Sequence, residues 1–252
     1  MGVLIETLDD DGVLWLRLNE PRKKNALTDE LRAALRDALQ WAQDDPDVRA
    51  IVVAGTEGAF SAGGDISAMT GDPDIARARM EILHDVVRLL LAGNRPTVAA
   101  VSGVAFGAGF SLALCCDQVI ADPSARFSAS FGKVGLPPDL GLAMTLPGRI
   151  GQGAARRILL SSSIVEAEEA GRLGIADMIV PATELDARAK QVALDLAGFS
   201  QEAKGHVKAL LTASAGDLDA MLDREMSSYI TLLNSEEHTT ARDTFLARSA
   251  SR

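Results

Sequence analysis

Apolar residues alternate or run together over residues 3–8 and 13–18, on either side of the polar segment Asp9-Asp10-Asp11-Gly12. That arrangement predicts a β-hairpin closed by an Asp/Gly turn. The period then changes. Leu31, Leu35 and Leu39 recur at helical spacing. Thr28 stands where an N-cap is needed, and Asp29 and Glu30 lie in the first turn, where the helix dipole favours negative charge. Pro46 ends the segment. Residues 48–54 form a short β-branched run, the mark of a strand buried on both faces of a parallel sheet. A helix over about residues 74–91 and strands at 97–101, 119–121 and 177–180 follow, with helical stretches between the strands. Strands alternating with helices imply βαβ crossovers and a mainly parallel sheet, hence the α/β class. After Pro181 the pattern is helical over 185–196, 202–211 and 218–247, without strand signal or glycine clusters, and predicts a C-terminal helical appendage.

Composition narrows the functional classes. The chain has 252 residues, 47% hydrophobic and 24% charged, enough for one large domain or a domain with a small appendage. A net charge of −10 disfavours nucleic acid and anionic membrane as partners. A local anion site stays possible, because helix N-termini and single cations hold phosphate regardless of net charge. Arg22-Lys23-Lys24 is the compact basic cluster near the start, readable as a solvated turn or as a phosphate contact. Cys115 and Cys116 are adjacent and so are expected to be free, buried thiols of a reducing compartment. The first eleven residues are acidic, and no apolar run reaches the roughly 18 residues of a membrane span, so a soluble cytoplasmic protein is expected. His84, His206 and His238 are far apart and show no ligand spacing, so no metal is expected. No Gly-x-Ser-x-Gly turn offers a nucleophile.

Two glycine-rich segments carry the candidate chemistry. Gly55 to Ile66, with Gly63-Gly64-Asp65 at its end, follows the buried strand at 48–54. It therefore lies at the carboxyl edge of a parallel sheet, where open α/β folds bind ligands. Val101 to Phe110, with Gly107-Ala108-Gly109, follows the strand at 97–101 and opens a helix read from Leu112. Small residues at such positions leave backbone N–H groups approachable by an anion. Each segment alone is also readable as a tight turn. Together they can offer two backbone donors to one oxygen, which a developing enolate requires.

The set Asn25-Ala26-Leu27, Phe60 to Ile66, Gly103-x-Ala105-x-Gly107-Ala108-Gly109 and Cys116-Asp117, with the Ala-x-x-x-Gly pattern in 166–180, resembles the enoyl-CoA hydratase/isomerase (crotonase) superfamily. The resemblance covers about residues 10–185. It implies a crotonase-like spiral of ββα turns, with an acyl-CoA-binding core over 1–195 and a helical oligomerisation region over 196–252. It also implies a homotrimer or a hexamer (a dimer of trimers). The substrate would be an acyl-CoA thioester, with coenzyme A entering as part of it and no cofactor bound permanently.

By position, the resemblance makes the Gly64 and Ala108 N–H groups an oxyanion hole. It sets Gly64 to Ser67 (Asp65 and Ile66 between them) along the pantetheine, with Ala62 beside them, and Lys23 and Lys24 near the adenosine end. Family members often carry a basic residue where this chain has Ser67.

The reaction follows from what stands at three further positions. The two hydratase glutamates would fall at Ser111 and Phe131, and neither is a carboxylate here. Serine is no base at neutral pH, so efficient hydration is not expected. Ser111 and Phe131 become acyl-pocket candidates, with plain core packing the alternative for Phe131. Asp139, in Gly135-Leu136-Pro137-Pro138-Asp139, resembles the acid that shuttles the proton in the family's isomerases. Its other reading is a cap for a helix starting at Leu140. The expectation is an enoyl-CoA isomerase with Asp139, Gly64 and Ala108 as its catalytic groups. Ring-opening isomerisation, weak hydration and non-catalytic acyl-CoA binding are the alternatives.

Overall fold

The computed structural model describes residues 2–198 and 200–250. Met1, Phe199, Ser251 and Arg252, which fall in the two spans expected above, lie outside the described residues. β1 (Leu4–Leu8) and β2 (Val13–Leu18) pair antiparallel as the predicted hairpin. α1 (Asp29–Asp44) follows, with the Thr28 hydroxyl accepting the Leu31 N–H as a true N-cap. β3 (Ala50–Gly55), α2 (Pro73–Leu91) and β4 (Thr97–Val101) come next. Then the chain enters β5 (Val104–Phe106), α3 (Ala108–Cys115), β6 (Gln118–Ala121), β7 (Arg126–Ser128) and α4 (Leu142–Ser161). β8 (Ile164–Glu166), α5 (Ala167–Leu173) and β9 (Met178–Ile179) close the α/β part. The helices α6 (Leu185–Ala197), α7 (Gln201–Ala215), α8 (Leu218–Leu233) and α9 (Glu236–Ala250) follow.

Two sheets result. The larger has the order β1-β2-β3-β4-β6-β9 and is parallel beyond its first hairpin. The smaller, β5-β7-β8, escapes the sequence pattern. Its strands are three residues long, too short to show a period of two, and β5 lies inside the segment read above as a loop. With both sheets in view the spiral is plain: β4-β5-α3 and β6-β7-α4 each lay one strand in each sheet and then a helix. β3 and α2 make another turn, in which the second strand shrinks to a single bridge, Ser61 to Ala105.

The β-branched run explains the layering. In β3, Ile51 and Val53 join a core shared with α1 and α2, while Ala50, Val52 and Ala54 face a second core capped by α6 through Leu185, Ala189, Val192 and Ala193. The sheet is thus buried on both faces, as a continuous apolar strand requires. The 218–247 segment is two helices rather than one. The chain breaks at Asn234 and Ser235, and the Ser235 hydroxyl accepts the His238 N–H to start α9. The tail docks by polar ties. Lys208 donates to Asp117 Oδ2 (2.8 Å) and to the Arg95 carbonyl (3.0 Å), and Asp117 in turn accepts the Thr97 N–H. Leu222 and Met226 of α8 enter the main core. No helix among the described residues is long and apolar enough to cross a membrane.

One buried side chain staples the first glycine-rich segment to the hairpin. Asn25, fully buried with φ 56°, donates to the Thr56 and Ala59 carbonyls (3.0 and 2.7 Å) and accepts the Glu20 N–H. Asn25→Ala would leave the Ala59 carbonyl and the Glu20 N–H without partners at about 1–3 kcal/mol each, while the Thr56 carbonyl keeps the Ala59 N–H. A loss of about 2 kcal/mol or more is expected, measurable by urea denaturation.

Candidate active site

The two glycine-rich segments meet backbone to backbone. Ser61 N–H donates to the Val104 carbonyl and Phe106 N–H to the Ser61 carbonyl, both at 2.9 Å. The approach is closer than side chains allow. A Cβ on Gly109 would stand 2.5 Å from the Ser61 carbonyl oxygen, and one on Gly63 2.7 Å from that of Phe106. Gly63 also has φ 100°, which L-residues rarely adopt. The glycines therefore serve strand-to-strand contact as much as ligand access. Ala108 begins α3 directly after Gly107, which turns the chain at φ 51°. The helix opens four residues before the predicted Leu112, which puts the Ala108 N–H in its unpaired first turn.

Around this junction lie two adjoining spaces. An outer cavity of about 420 Å³ is lined by Lys24, Ala62, Gly64, Ile66, Phe106 and Phe131, with Lys133 and, from α9, Phe245 on its rim. An inner pocket of about 40 Å³ is walled by Leu27, Arg32, Met80, Leu83, Tyr229 and Leu233 among others. The two share Gly64, Met69, Ala108 and Asp139. At this shared neck neither the Gly64 nor the Ala108 N–H donates to an acceptor among the described residues.

Asp139 stands at the same neck. It is 8% exposed, and its Oδ1 is buried without a hydrogen-bond partner. The capping alternative fails, because α4 begins at Leu142 after Gly141, and no side chain caps it. Burial pushes the Asp139 carboxyl well above the usual carboxylate range; the Glu225 charge pushes it the same way, and the Arg32 guanidinium opposes both.

The remaining predicted residues divide. Ala62, Ile66, Lys24 and Phe131 line the outer cavity, and Phe131 is at once a wall of it and part of the core. Asp65 reaches the inner pocket, but its oxygens are engaged by Lys23 Nζ (2.7 Å) and by the Ser67 hydroxyl (2.6 Å). Burial alone would raise the Asp65 carboxyl, yet these hydrogen bonds outweigh it and hold the group below the usual range. Lys23 and Ser67 are thus exposed residues tied to Asp65, and neither lines either space. Ser111, expected in the acyl pocket, is fully buried in α3, where its hydroxyl donates back to the Gly107 carbonyl (3.3 Å). Sequence reasoning did not find Arg32, Tyr229, Phe106, Lys133, Phe245 or Glu225 as site residues. Phe106, inside the second glycine-rich segment, and Lys133, shortly before the Gly135 to Asp139 motif, carried a signal.

A raised Asp139 has a definite sign in stability. Its neutral form is favoured by the fold, so that contribution is complete below the unfolded carboxylate value of about 3.9 and is lost as pH rises through the folded value. Asp139→Asn is therefore expected to match the native protein near pH 4 and to exceed it in stability at pH 8. Urea denaturation at the two pH values tests this, and a gap that is constant or widens toward low pH contradicts it.

Comparison with known proteins places these features in context. The family model described as enoyl-CoA hydratase/isomerase matches residues 9–250. A probable enoyl-CoA hydratase of Mycobacterium tuberculosis is 42% identical over 215 residues, 83% of this chain and 82% of that protein. The 1,2-epoxyphenylacetyl-CoA isomerase of Escherichia coli is 33% identical over 245 residues, 95% and 94% of the two chains. Among solved structures, an enoyl-CoA hydratase from Mycobacterium avium subsp. paratuberculosis superposes with a TM-score of 0.88 at 30% identity, covering 98% of this chain and 97% of that one.

Proposed function

Since the chain belongs to the enoyl-CoA hydratase/isomerase family, we propose that it shifts the double bond of a 3-enoyl-CoA thioester to the 2-position, with Asp139 carrying the proton. One observation carries this reading. A buried carboxyl with an unpartnered oxygen lines the same neck as two backbone N–H groups that lack acceptors. Of the two carboxylates at the pockets, Asp65 is engaged by Lys23 and Ser67, which leaves Asp139 as the group able to exchange a proton.

The steps follow from that arrangement. The Asp139 carboxylate takes a proton from C2, and the C2–H electron pair moves into the C1–C2 bond as the thioester carbonyl becomes an enolate. The Gly64 and Ala108 N–H groups hold the enolate oxygen, a role typically worth about 10²–10³ in rate for each donor. The same carboxyl then returns the proton at C4, the double bond settles between C2 and C3, and Asp139 is ionised again. An acid whose proton affinity has been raised by burial suits both halves of the transfer. The outer cavity takes the pantetheine arm, with Lys24 and Lys133 at its rim for phosphate, and the inner pocket takes the acyl group. Its room of about 40 Å³ favours a short chain.

The absence of carboxylates at Ser111 and Phe131 weighs against hydration, although several relatives are named hydratases. The relative named as an epoxide isomerase supports a second reading, ring-opening by the same enolate chemistry. The trimer or hexamer implied by the family finds support in Val207, Leu210 and Leu211, apolar side chains left exposed on α7. Cytoplasmic residence is part of the same proposal.

Side-by-side assay of 3-enoyl-CoA, 2-enoyl-CoA and epoxyacyl-CoA substrates distinguishes the reactions. Asp139→Asn is expected to lower isomerisation by about 10²–10⁴-fold while acyl-CoA binding persists. Undiminished turnover would remove Asp139 from its role. Exchange of C2 protons in heavy water reports enolate formation directly, and binding without exchange would favour a non-catalytic binder. Lys133→Met is expected to raise KM for the CoA thioester by about 3–10-fold, an amount typical of one ordinary hydrogen bond, with kcat little changed.

A further inference from the structure

The turn that carries Asp139 is held in place from outside itself. Leu140 and Gly141 follow it with φ of 47° and 70°, two consecutive left-handed residues, the first of which has a side chain. Such a turn keeps its shape only when its surroundings enforce it. Two contacts do so. Cys115 of α3 donates its Sγ–H to the Leu140 carbonyl at 3.3 Å. The Gly141 N–H donates to Glu225 Oε2 of α8 at 2.9 Å. The other oxygen of Glu225 lies 3.2 Å from His84 Nε2 of α2, and the side chains of both residues are buried. A buried pair of this kind is weak evidence for stability, since apolar residues fill the same volume at less desolvation cost. The proton transfer proposed above makes no use of it.

We propose that Glu225 is a positioning residue for Asp139: by clamping the Gly141 N–H it fixes the turn so that the Asp139 carboxyl faces the neck shared by Gly64 and Ala108. The inference rests on the assignment of Asp139 as proton carrier. It adds a part for a helix of the C-terminal tail, which sequence reading assigned to oligomer contacts. Electrostatics acts alongside the geometry. Burial is the main influence raising the Asp139 carboxyl, Glu225 adds to it, and Arg32 of α1 opposes it. The other titratable groups facing this region are Tyr229 of α8 and Cys115 of α3, which feel the Asp139 charge, His84 of α2, which meets Glu225, and Arg79 of α2 and Asp65, which line the same pocket.

Two substitutions separate the clamp from the charge. Glu225→Ala removes both and is expected to lower kcat about 10–100-fold with KM within about twofold, the signature of a misplaced reacting group. Glu225→Gln keeps an oxygen for the Gly141 N–H and removes the charge. Its kcat is expected above that of the alanine variant, and the acid limb of its kcat/KM profile at lower pH than in the native enzyme. The side-chain carboxyl ¹³C resonance that Asp139→Asn eliminates reports the same ionisation without turnover, and it should titrate at lower pH in Glu225→Gln. If the alanine variant does not fold, Glu225→Met, which fills the volume without an acceptor for the Gly141 N–H, takes its place. Full kcat in a folded Glu225→Ala or Glu225→Met overturns the inference and leaves the isomerase reading standing, and an acid limb and a ¹³C titration both unmoved in Glu225→Gln remove its electrostatic part. A shifted ¹³C titration in a protein that isomerises nothing supports the contact and removes the isomerase reading instead.

Discussion

The contact between the segment after β3 and the chain after β4 governs this molecule. Ser61 lies against Val104 to Phe106 with hydrogen bonds in both directions, at a distance that Gly63 and Gly109 permit only by lacking side chains. Two polypeptide segments brought this close leave no room for a third partner, so some of their N–H groups must turn elsewhere. Gly64 and Ala108 line both the outer cavity and the inner pocket, and their N–H groups donate to no acceptor among the described residues. The donors of the proposed oxyanion site would thus be a by-product of close packing, made by the backbone and independent of any one side chain. Asn25 secures one side of it from the hairpin, and the positive φ of Gly107 sets the start of α3 on the other.

Asp139 is a different kind of feature. The proposed oxyanion site offers donors to an anion, whereas Asp139 is an acid that burial discourages from becoming one. In the proposed reaction the two together would favour a negative charge on the ligand over one on the protein. That division would suit proton abstraction beside a carbonyl, because charge leaves the carboxylate and settles on an oxygen already provided for. Lys23 and Ser67 work in the opposite sense on Asp65, keeping it ionised and out of the exchange. Two aspartates that border one pocket are thereby given different behaviour by their neighbours.

How much of this was legible in the sequence depends on how local the physics is. The hairpin, the capped helix after Thr28 and the doubly buried strand β3 are written in period and capping, and they form as read. Strands β5, β7 and β8 are not, because three residues cannot display an alternation. The break between α8 and α9 is hidden by a run without glycine or proline, and its signal is the modest cap at Ser235. In the site, Gly64, Ala108 and Asp139 were reached through motif resemblance. Ser111 was misplaced because sequence does not say which way a buried helical hydroxyl turns, and here it turns to the carbonyl four residues back. Arg32, Tyr229 and Glu225 approach from helices remote in the chain, so their nearness to Asp139 exists only once the fold does.

The cavity wall contributed by Phe245 has a consequence for how the protein comes into being. The binding space is bounded by residues from Lys24 near one end of the chain to Phe245 near the other. During synthesis the glycine-rich segments can meet as soon as the early strands have emerged, yet the chamber beside them stays open to water. It gains its last side only after the ribosome has passed α9. Until α9 docks, the Gly64 and Ala108 amides are therefore solvated by water, and the outer cavity lacks the side that Phe245 supplies.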